Sequence, residues 1–321
     1  MHIPDGFLDA KTTGTTAALA AAGAGLALRR VRQTLPARQI PMLGLSAAFL
    51  FAAQMLNFPV LAGTSGHLIG GVLVAALLGP SAAIVVVTTV LIVQCFLFQD
   101  GGVLALGANI FNMAIVGAGG GWIIYRALQS VLPGSRGRLT ALAFAAWAST
   151  VLASIGCAGQ LAWSDKVEWR AAFMAMASVH LLIGLVEGLI SALIFAAIQR
   201  TRPDLIQPAQ NTQAEPQWGE FVRYGLMVSI GLALFVAPFA CRWPDGLDSV
   251  ANRLGFARTA AKSALPTFAP DYMLPGVHSP ALATALAGAL GAMIVFALAL
   301  FLAHAVVPPR SASVIDVRPT R

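Results

Sequence analysis

Hydrophobic residues fall into nine runs along the chain, separated by stretches rich in charged residues, glycine and proline. The runs cover residues 12–28, 40–57, 67–79, 81–98, 103–126, 139–163, 171–198, 222–240 and 282–306. A transmembrane helix needs about 17–25 apolar residues, a length that only the run at 67–79 fails to reach. For that run, a half-span or a tilted, buried helix is the alternative. The pattern predicts an all-α polytopic membrane protein with about nine transmembrane helices.

Composition narrows the class of protein further. Hydrophobic residues make up 58% of the 321 residues and charged residues 10%, whereas soluble domains carry about 25% charged residues. So few charges cannot cover a water-facing surface, which excludes an ordinary soluble enzyme, a disordered regulator and a disulfide scaffold. Cys95, Cys157 and Cys241 are widely separated, and we expect free thiols. Aromatic and basic residues form no joint patch, so we expect a lipid bilayer and no nucleic acid as partner.

The distribution of lysine and arginine predicts the orientation. If all nine runs span and the N-terminus is outside, 13 basic residues lie inside and 7 outside. An excess of basic residues marks cytoplasmic loops, so we expect an outer N-terminus and a cytoplasmic C-terminus in the cytoplasmic (inner) membrane. If 67–79 did not span, the basic clusters at 126–138 and 310–321 would face outward, against this rule.

Two polar segments divide the chain. Residues 199–221 are polar and proline-rich, which is typical of a linker, and residues 241–281 form a long loop between the last two runs. We therefore predict a seven-span unit at 1–200, a cytoplasmic linker at 201–221 and a two-span unit at 222–321.

The first two residues carry the most specific chemistry. The α-amine of Met1, the backbone nitrogen of His2 and its imidazole Nδ1 can close two fused chelate rings on one metal ion. Such a site is planar and leaves one in-plane position open. Planar nitrogen coordination suits Ni(II) or Cu(II) better than Zn(II), which prefers a tetrahedron. The alternative for His2 is an exposed side chain at a frayed terminus.

His67 is the candidate for the fourth nitrogen. It lies in GTSGHLIGG, on the same predicted outer side as Met1, and the neighbouring glycines allow close backbone approach. Thr64 and Ser65 offer hydroxyl groups that could orient the ligands. Taken alone, His67 is interpreted as a satisfied polar residue at a helix end, and it is the combination with His2 that favours a shared metal site.

Other polar residues inside the runs are candidates because they are costly in lipid. Asn57 and Asn109 could support the metal site, although amides between helices more often serve packing. His180 and Glu187 share a helical face in HLLIGLVEGLIS, and we favour a buried structural or coupling pair over a second metal site. The chain lacks the phosphate-binding pattern G-x-x-x-x-G-K-[ST], so we predict no ATPase or other enzymatic activity and dependence on partners.

Four segments resemble a known family: MHIPDGFL at the N-terminus, GTSGHLIGG at 63–71, QDGGVLALGANIFNMA at 99–114 and HLLIGLVEGLIS at 180–191. They are similar to the substrate-binding S component of energy-coupling-factor cobalt/nickel transporters, the CbiM/NikM family. PDGLDSVA at 244–251 resembles the small CbiN/NikN-like module with its PDGLE motif, here fused behind the linker. Two departures are mild: Asp9-Ala10 replaces the usual Ser-Pro, and Asp248 replaces the usual glutamate.

The resemblance implies capture of Ni(2+) or Co(2+) as transported substrate, with no organic cofactor. It assigns the metal ligands to Met1, His2 and His67, and the partners to a transmembrane coupling (T) protein and two cytoplasmic ATPase subunits. We expect the loop at 57–67 to occlude the metal. Two alternatives stay open: a secondary carrier for a small organic solute that uses Asn57, Asn109 and Asn112, and a metal sensor that does not transport.

Overall fold

The computed structural model describes residues 1–206, 218–261 and 265–308. These residues form a helical bundle, and its elements in chain order are α1 (Ala10–Thr34), α2 (Ile40–Gln54), β1 (Phe58–Pro59), β2 (Ser65–Gly66), α3 (Gly71–Leu78), α4 (Pro80–Phe98), α5 (Leu106–Val131), α6 (Gly134–Trp163), α7 (Trp169–Thr201), α8 (Gly219–Phe239), α9 (Gly246–Leu254) and α10 (Pro280–Val306). Short 3₁₀ turns lie at Ala37–Gln39, Leu61–Gly63, Pro203–Leu205, Ala257–Thr259 and Pro270–Tyr272. The predicted all-α membrane class is confirmed.

Fewer than nine helices of the described chain have the length and apolarity of a membrane span. Six helices of the described chain are long and apolar enough to cross a membrane, namely α4, α5, α6, α7, α8 and α10. Helices α1 and α2 pass that test only as a pair bent by 119°. Helix α3 has 8 residues, which at 1.5 Å per residue reaches about 12 Å of a hydrocarbon core about 30 Å thick. All nine runs are helical, but nine full spans are not confirmed.

The outer faces of the long helices are apolar. On α7, Leu181, Leu185 and Leu189 follow one another at four-residue spacing and are all exposed, so they form a stripe along one face. An exposed leucine stripe is typical of a surface that faces lipid. The opposite face of α7 packs along α6, which is the most extensive helix pairing in the bundle.

Glycine and alanine bring the inner faces close together. A methyl group at Gly107 of α5 would overlap the backbone of Ala17 in α1, so these two helices touch through their main chains. A π-helical segment, Ile110–Gly120, follows within α5, and Asn112 in this segment exchanges two hydrogen bonds with Gln160 of α6 at 2.8 and 2.9 Å. The reciprocal bonds satisfy both buried amides.

The two C-terminal helices pack onto the rest of the bundle. Helices α8 and α10 lie against α2, and α9 lies against α7. The predicted division at 201–221 stays a prediction, and residues 207–217 of that linker lie outside the described residues. The packing positions the loop after α8 over the end of the bundle where the N-terminus lies.

Candidate metal centre

The N-terminal segment, residues 1–9, is folded into the protein. Ile3 is fully buried, and Asn109 of α5 binds both of its backbone groups: the Ile3 N–H donates to Oδ1 at 2.8 Å, and Nδ2 donates to the Ile3 carbonyl at 3.1 Å. The Gly102 N–H donates to the same carbonyl at 2.9 Å. The frayed-terminus alternative is therefore wrong.

Asp5 anchors the same segment to the loop before α5. Its carboxylate accepts hydrogen bonds from the backbone N–H groups of Val103, Leu104 and Ala105, at 3.2, 2.8 and 3.3 Å. These donors directly precede α5, so Asp5 fixes the backbone that leads into this helix. Gly102 fits beside Asp5 only because it has no side chain, since a methyl group there would overlap the Asp5 backbone and carboxylate.

The Met1 amine lies between two chain-distant partners. It donates to Nε2 of His67 at 2.5 Å and forms an ion pair with Oδ2 of Asp245 at 2.8 Å. The Met1 side chain is buried, and Asp245 is largely covered. Although burial opposes ionisation of a carboxyl group, the Met1 ammonium holds the pKa of Asp245 well below its usual range.

His67 presents a free lone pair to the amine. Its Nδ1 donates to the Leu68 carbonyl at 3.2 Å, which leaves Nε2 as the acceptor. The two residues after Leu68 are held by Glu187 of α7, whose carboxylate accepts from the N–H groups of Ile69 and Gly70 at 2.6 and 2.8 Å. Burial and the neighbouring Met1 charge hold the pKa of His67 well below its usual range, so its imidazole is neutral.

His2 stacks on His67. The ring centroids are 5.0 Å apart and the ring planes differ by 22°. Nδ1 of His2 lies 3.1 Å from Oδ1 of Asp100, and Nε2 lies 3.2 Å from Oε1 of Gln94. Burial lowers the pKa of His2, although the negative charge of Asp100 acts in the opposite direction. The structure thus gathers the amine and both imidazoles in one buried place.

The residues predicted to support the metal site form hydrogen bonds with several different parts of the chain. Asn109 positions the N-terminal segment through Ile3. Thr64 and Ser65 contact the C-terminal loop instead of His67: Oγ1 of Thr64 lies 2.8 Å from Oγ of Ser249, and Oγ of Ser65 donates to the Trp243 carbonyl at 2.8 Å. The Asn57 carbonyl accepts from the Cys241 N–H at 2.8 Å.

His180 and Glu187 do not share a partner. Nδ1 of His180 donates to the Met176 carbonyl at 2.8 Å, and its ring packs against Gly246, so tightly that a side chain at 246 would overlap it. Glu187 holds the backbone after His67, as described above. Within the described ranges, no three or more histidine, cysteine, aspartate and glutamate side chains converge as a ready metal site. All three cysteines are free.

Sequence reasoning missed Asp245 and Asp100. The sequence contains Pro-Asp-Gly twice, at 4–6 and at 244–246, and a third Asp-Gly follows Gln99. Aspartate before glycine is typical of turns and helix caps, so the motif could have indicated that Asp245 begins a helix. Asp245 is the N-cap of α9, and its side chain accepts from the Asp248 N–H at 2.8 Å. Nothing in the motif indicates the contact with Met1.

Two family models match the chain. The model described as the cobalt uptake substrate-specific transmembrane region (CbiM) matches residues 2–205, and the PDGLE domain model matches residues 219–307. Together they cover both the helices that carry His67 and the loop that carries Asp245.

Relatives with names and solved structures are similar to the chain. A putative fused nickel transport protein of Archaeoglobus fulgidus is 36% identical over 300 residues, covering 93% of this chain and 96% of that protein. A fused nickel transport protein of Rhodobacter capsulatus is 31% identical, covering 86% and 84%. A crystal structure titled as a transition metal transporter superposes with a TM-score of 0.57 at 31% identity, covering 62% of this chain and 93% of that one.

Proposed function

This chain belongs to the family of cobalt uptake substrate-specific transmembrane proteins, and on that basis we propose that it captures a nickel or cobalt ion at Met1, His2 and His67. As a member of this family it is a metal-uptake component of the membrane. A secondary carrier for a small organic solute is not supported, because Asn109 and Asn112 are both occupied by protein contacts.

One observation carries the assignment of the ligands: the Met1 amine and Nε2 of His67 lie side by side in a buried place. A metal–nitrogen bond of about 2.0 Å places two neighbouring nitrogens of a square plane about 2.8 Å apart. In the square plane, the amine, the amide nitrogen and the imidazole Nδ1 of the Met1–His2 chelate occupy three consecutive corners. The amine stands at one end of this series, so the fourth corner is next to it. The observed 2.5 Å contact suits that neighbouring position.

Metal binding requires that two contacts of the metal-free protein are broken, so that the ligands can reach the ion. The Met1 ammonium must lose a proton and leave Asp245, the His2 amide must lose its proton, and Nδ1 of His2 must turn from Asp100 to the ion, with both protons passing to solvent. The imidazole of His67 is already neutral, which is the form that binds metal. Asn109 and Glu187 hold the backbone on either side of the ligands, so these two residues position the site without touching the ion.

The chemistry of the donors favours nickel over cobalt. Four nitrogens in a plane, one of them a deprotonated amide, suit Ni(II). The named relatives with a fused C-terminal module are nickel transport proteins, which supports the same cargo. Uptake of ⁶³Ni and ⁵⁷Co by cells that carry the complete transporter would discriminate the two.

We also propose the orientation and the partners. The metal centre lies where α1 begins and α4 ends, and the opposite end of the bundle carries arginines around the contact between Ser135 and Gln199. The positive-inside rule then places the metal centre outside and the arginines in the cytoplasm. A transmembrane coupling protein and two ATPase subunits would supply the energy, because the chain has no phosphate-binding loop of its own.

The test of the ligands uses the length of the N-terminus. Purified protein that begins at Met1 is compared with protein that carries two extra residues before Met1, each titrated with Ni²⁺ under identical conditions. We expect a one-to-one complex with the absorption band of planar Ni(II) in the first and none in the second, because the amine has become an amide. The same affinity and band in both proteins would refute the assignment.

A further inference from the structure

A cavity of about 290 Å³ lies next to the metal centre, between the helices of the first unit and the C-terminal loop. Four carboxylates line it: Asp100, Asp245, Asp248 and Asp271. His2 and His67 line the same cavity, so it opens directly onto the proposed ligands. Along the described chain, no lysine or arginine belongs to its lining. The cavity therefore has a negative potential that attracts cations.

Gln54, which ends α2, points to an occupant. Its side chain is 3% exposed and belongs to the cavity lining. Nε2 donates to the Ile69 carbonyl at 3.0 Å, whereas Oε1 is a buried acceptor that has no hydrogen-bond donor among the described residues. A buried acceptor without a donor costs free energy, so Oε1 indicates a guest that offers a proton or a positive charge.

The lining selects a hydrated ion. Oxygen donors bind divalent cations that keep part of their water, and among the residues that the structure describes fewer than three acidic or histidine side chains converge for direct coordination. An ion with six waters needs about 180 Å³, at about 30 Å³ per water, which fits the cavity. Water on the ion can donate to Oε1 of Gln54 and to the carboxylates.

We propose that this cavity is an outer cation site, in which a hydrated divalent ion is held before it passes to Met1, His2 and His67. The proposal rests on the proposed function for the destination of the ion. The fused C-terminal module supplies three of the four carboxylates, so its role is to build this site.

The probe for the outer site is Mn²⁺, which prefers oxygen ligands and is read by electron paramagnetic resonance. The full-length protein with its native N-terminus is titrated with Mn²⁺ in detergent, alone and after saturation with Ni²⁺. The variants are Asp248→Asn, Asp271→Asn and the double variant. Asp165→Asn is the matched control, because Asp165 is an exposed aspartate outside the cavity that shares the positive φ of Asp271.

We expect one bound Mn²⁺ in the original protein and in Asp165→Asn, with at least about tenfold weaker binding in the double variant. Stopped-flow mixing with Ni²⁺ should show about threefold slower formation of the planar complex in each single variant and about tenfold in the double. His67→Ala should remove the planar Ni²⁺ band and retain Mn²⁺.

The two proposals fail in different ways. Protein that forms the planar Ni²⁺ complex but binds no Mn²⁺, or whose Mn²⁺ binding and Ni²⁺ association rate are the same in the double variant, overturns the outer site alone. Mn²⁺ binding that depends on Asp248 and Asp271 without any planar Ni²⁺ complex supports the outer site and overturns the proposed ligands.

Discussion

Replacing Asn109 with leucine tests whether the position of the N-terminal segment determines metal affinity independently of the stability of the bundle. Leucine has a similar volume and no polar atom, so both hydrogen bonds to Ile3 are lost. The Ile3 N–H then has no acceptor, which costs about 1–3 kcal/mol. The Ile3 carbonyl keeps its bond from the Gly102 N–H at 2.9 Å and loses about 1 kcal/mol with the second bond. Docking of residues 1–9 is therefore weakened by about 2–4 kcal/mol.

Metal affinity should fall because only the docked segment brings Met1 and His2 to His67. A change of 1.4 kcal/mol is tenfold in affinity, so the dissociation constant can rise by roughly thirtyfold to several hundredfold. If docking of residues 1–9 is more stable than metal binding requires, part of the lost docking free energy does not reach the dissociation constant. The calculated rise in the dissociation constant is therefore an upper bound. We expect at least tenfold weaker Ni²⁺ binding, measured by titration with a competing chelator.

Asn112→Leu is the matched control. Asn112 lies on the same helix three residues later, is equally buried and also loses two amide hydrogen bonds, those with Gln160. It does not touch the N-terminal segment, so it should lower thermal stability to a similar extent and retain Ni²⁺ affinity. Equal affinity losses in both variants, or unchanged affinity in Asn109→Leu, would refute the argument that Asn109 positions the ligands.

Three further predictions follow from neighbouring contacts. Burial lowers the pKa of His2 and His67, so the unfolded chain takes up protons before the folded protein does as the pH falls below about 6.5. The metal-free protein should therefore lose stability from about pH 6.5 down to the folded pKa values of these two groups, and they should cause no further change at lower pH. Calorimetry between pH 7.5 and 5 would show this loss, and a stability that does not change with pH would count against buried neutral imidazoles. Gly102→Ala should push Asp5 away from its three amide donors and weaken Ni²⁺ binding at least tenfold, whereas tight binding would show that the N-terminal segment docks without this anchor. Glu187→Ala should leave two buried amides without an acceptor and lower the free energy of unfolding by about 2–6 kcal/mol in denaturant titrations, and a loss below 1 kcal/mol would contradict the assigned hydrogen bonds.

Hydrophobic periodicity was sufficient to predict the helical class and all nine helical segments, because burial in lipid imposes long apolar runs. The predicted crossing at 67–79 is not confirmed, because α3 ends after 8 residues at Gly79, which has a φ of +87°. The orientation stays a prediction, since no contact in the structure depends on which end faces the cytoplasm.

The candidate site was predictable only in part. The proximity of Met1 and His67 followed from their shared side of the predicted topology, and their role as ligands stays a prediction. Asp245 could not be foreseen as the ion-pair partner of Met1, because the two residues meet through packing of α8 and α10 on α2, far away along the chain. Periodicity describes which face of a helix is buried, but not which loop lies above it.

The burial of Met1 also has a consequence for biosynthesis. An amine that is enclosed by His67 and Asp245 cannot be reached by a processing enzyme once the segment has docked. Because the proposed ligand is the free amine, any blocking group on it would have to be removed before the loop after α8 closes over the N-terminal segment. The architecture therefore predicts an order of maturation, with an unmasked terminus first and the assembled fold second.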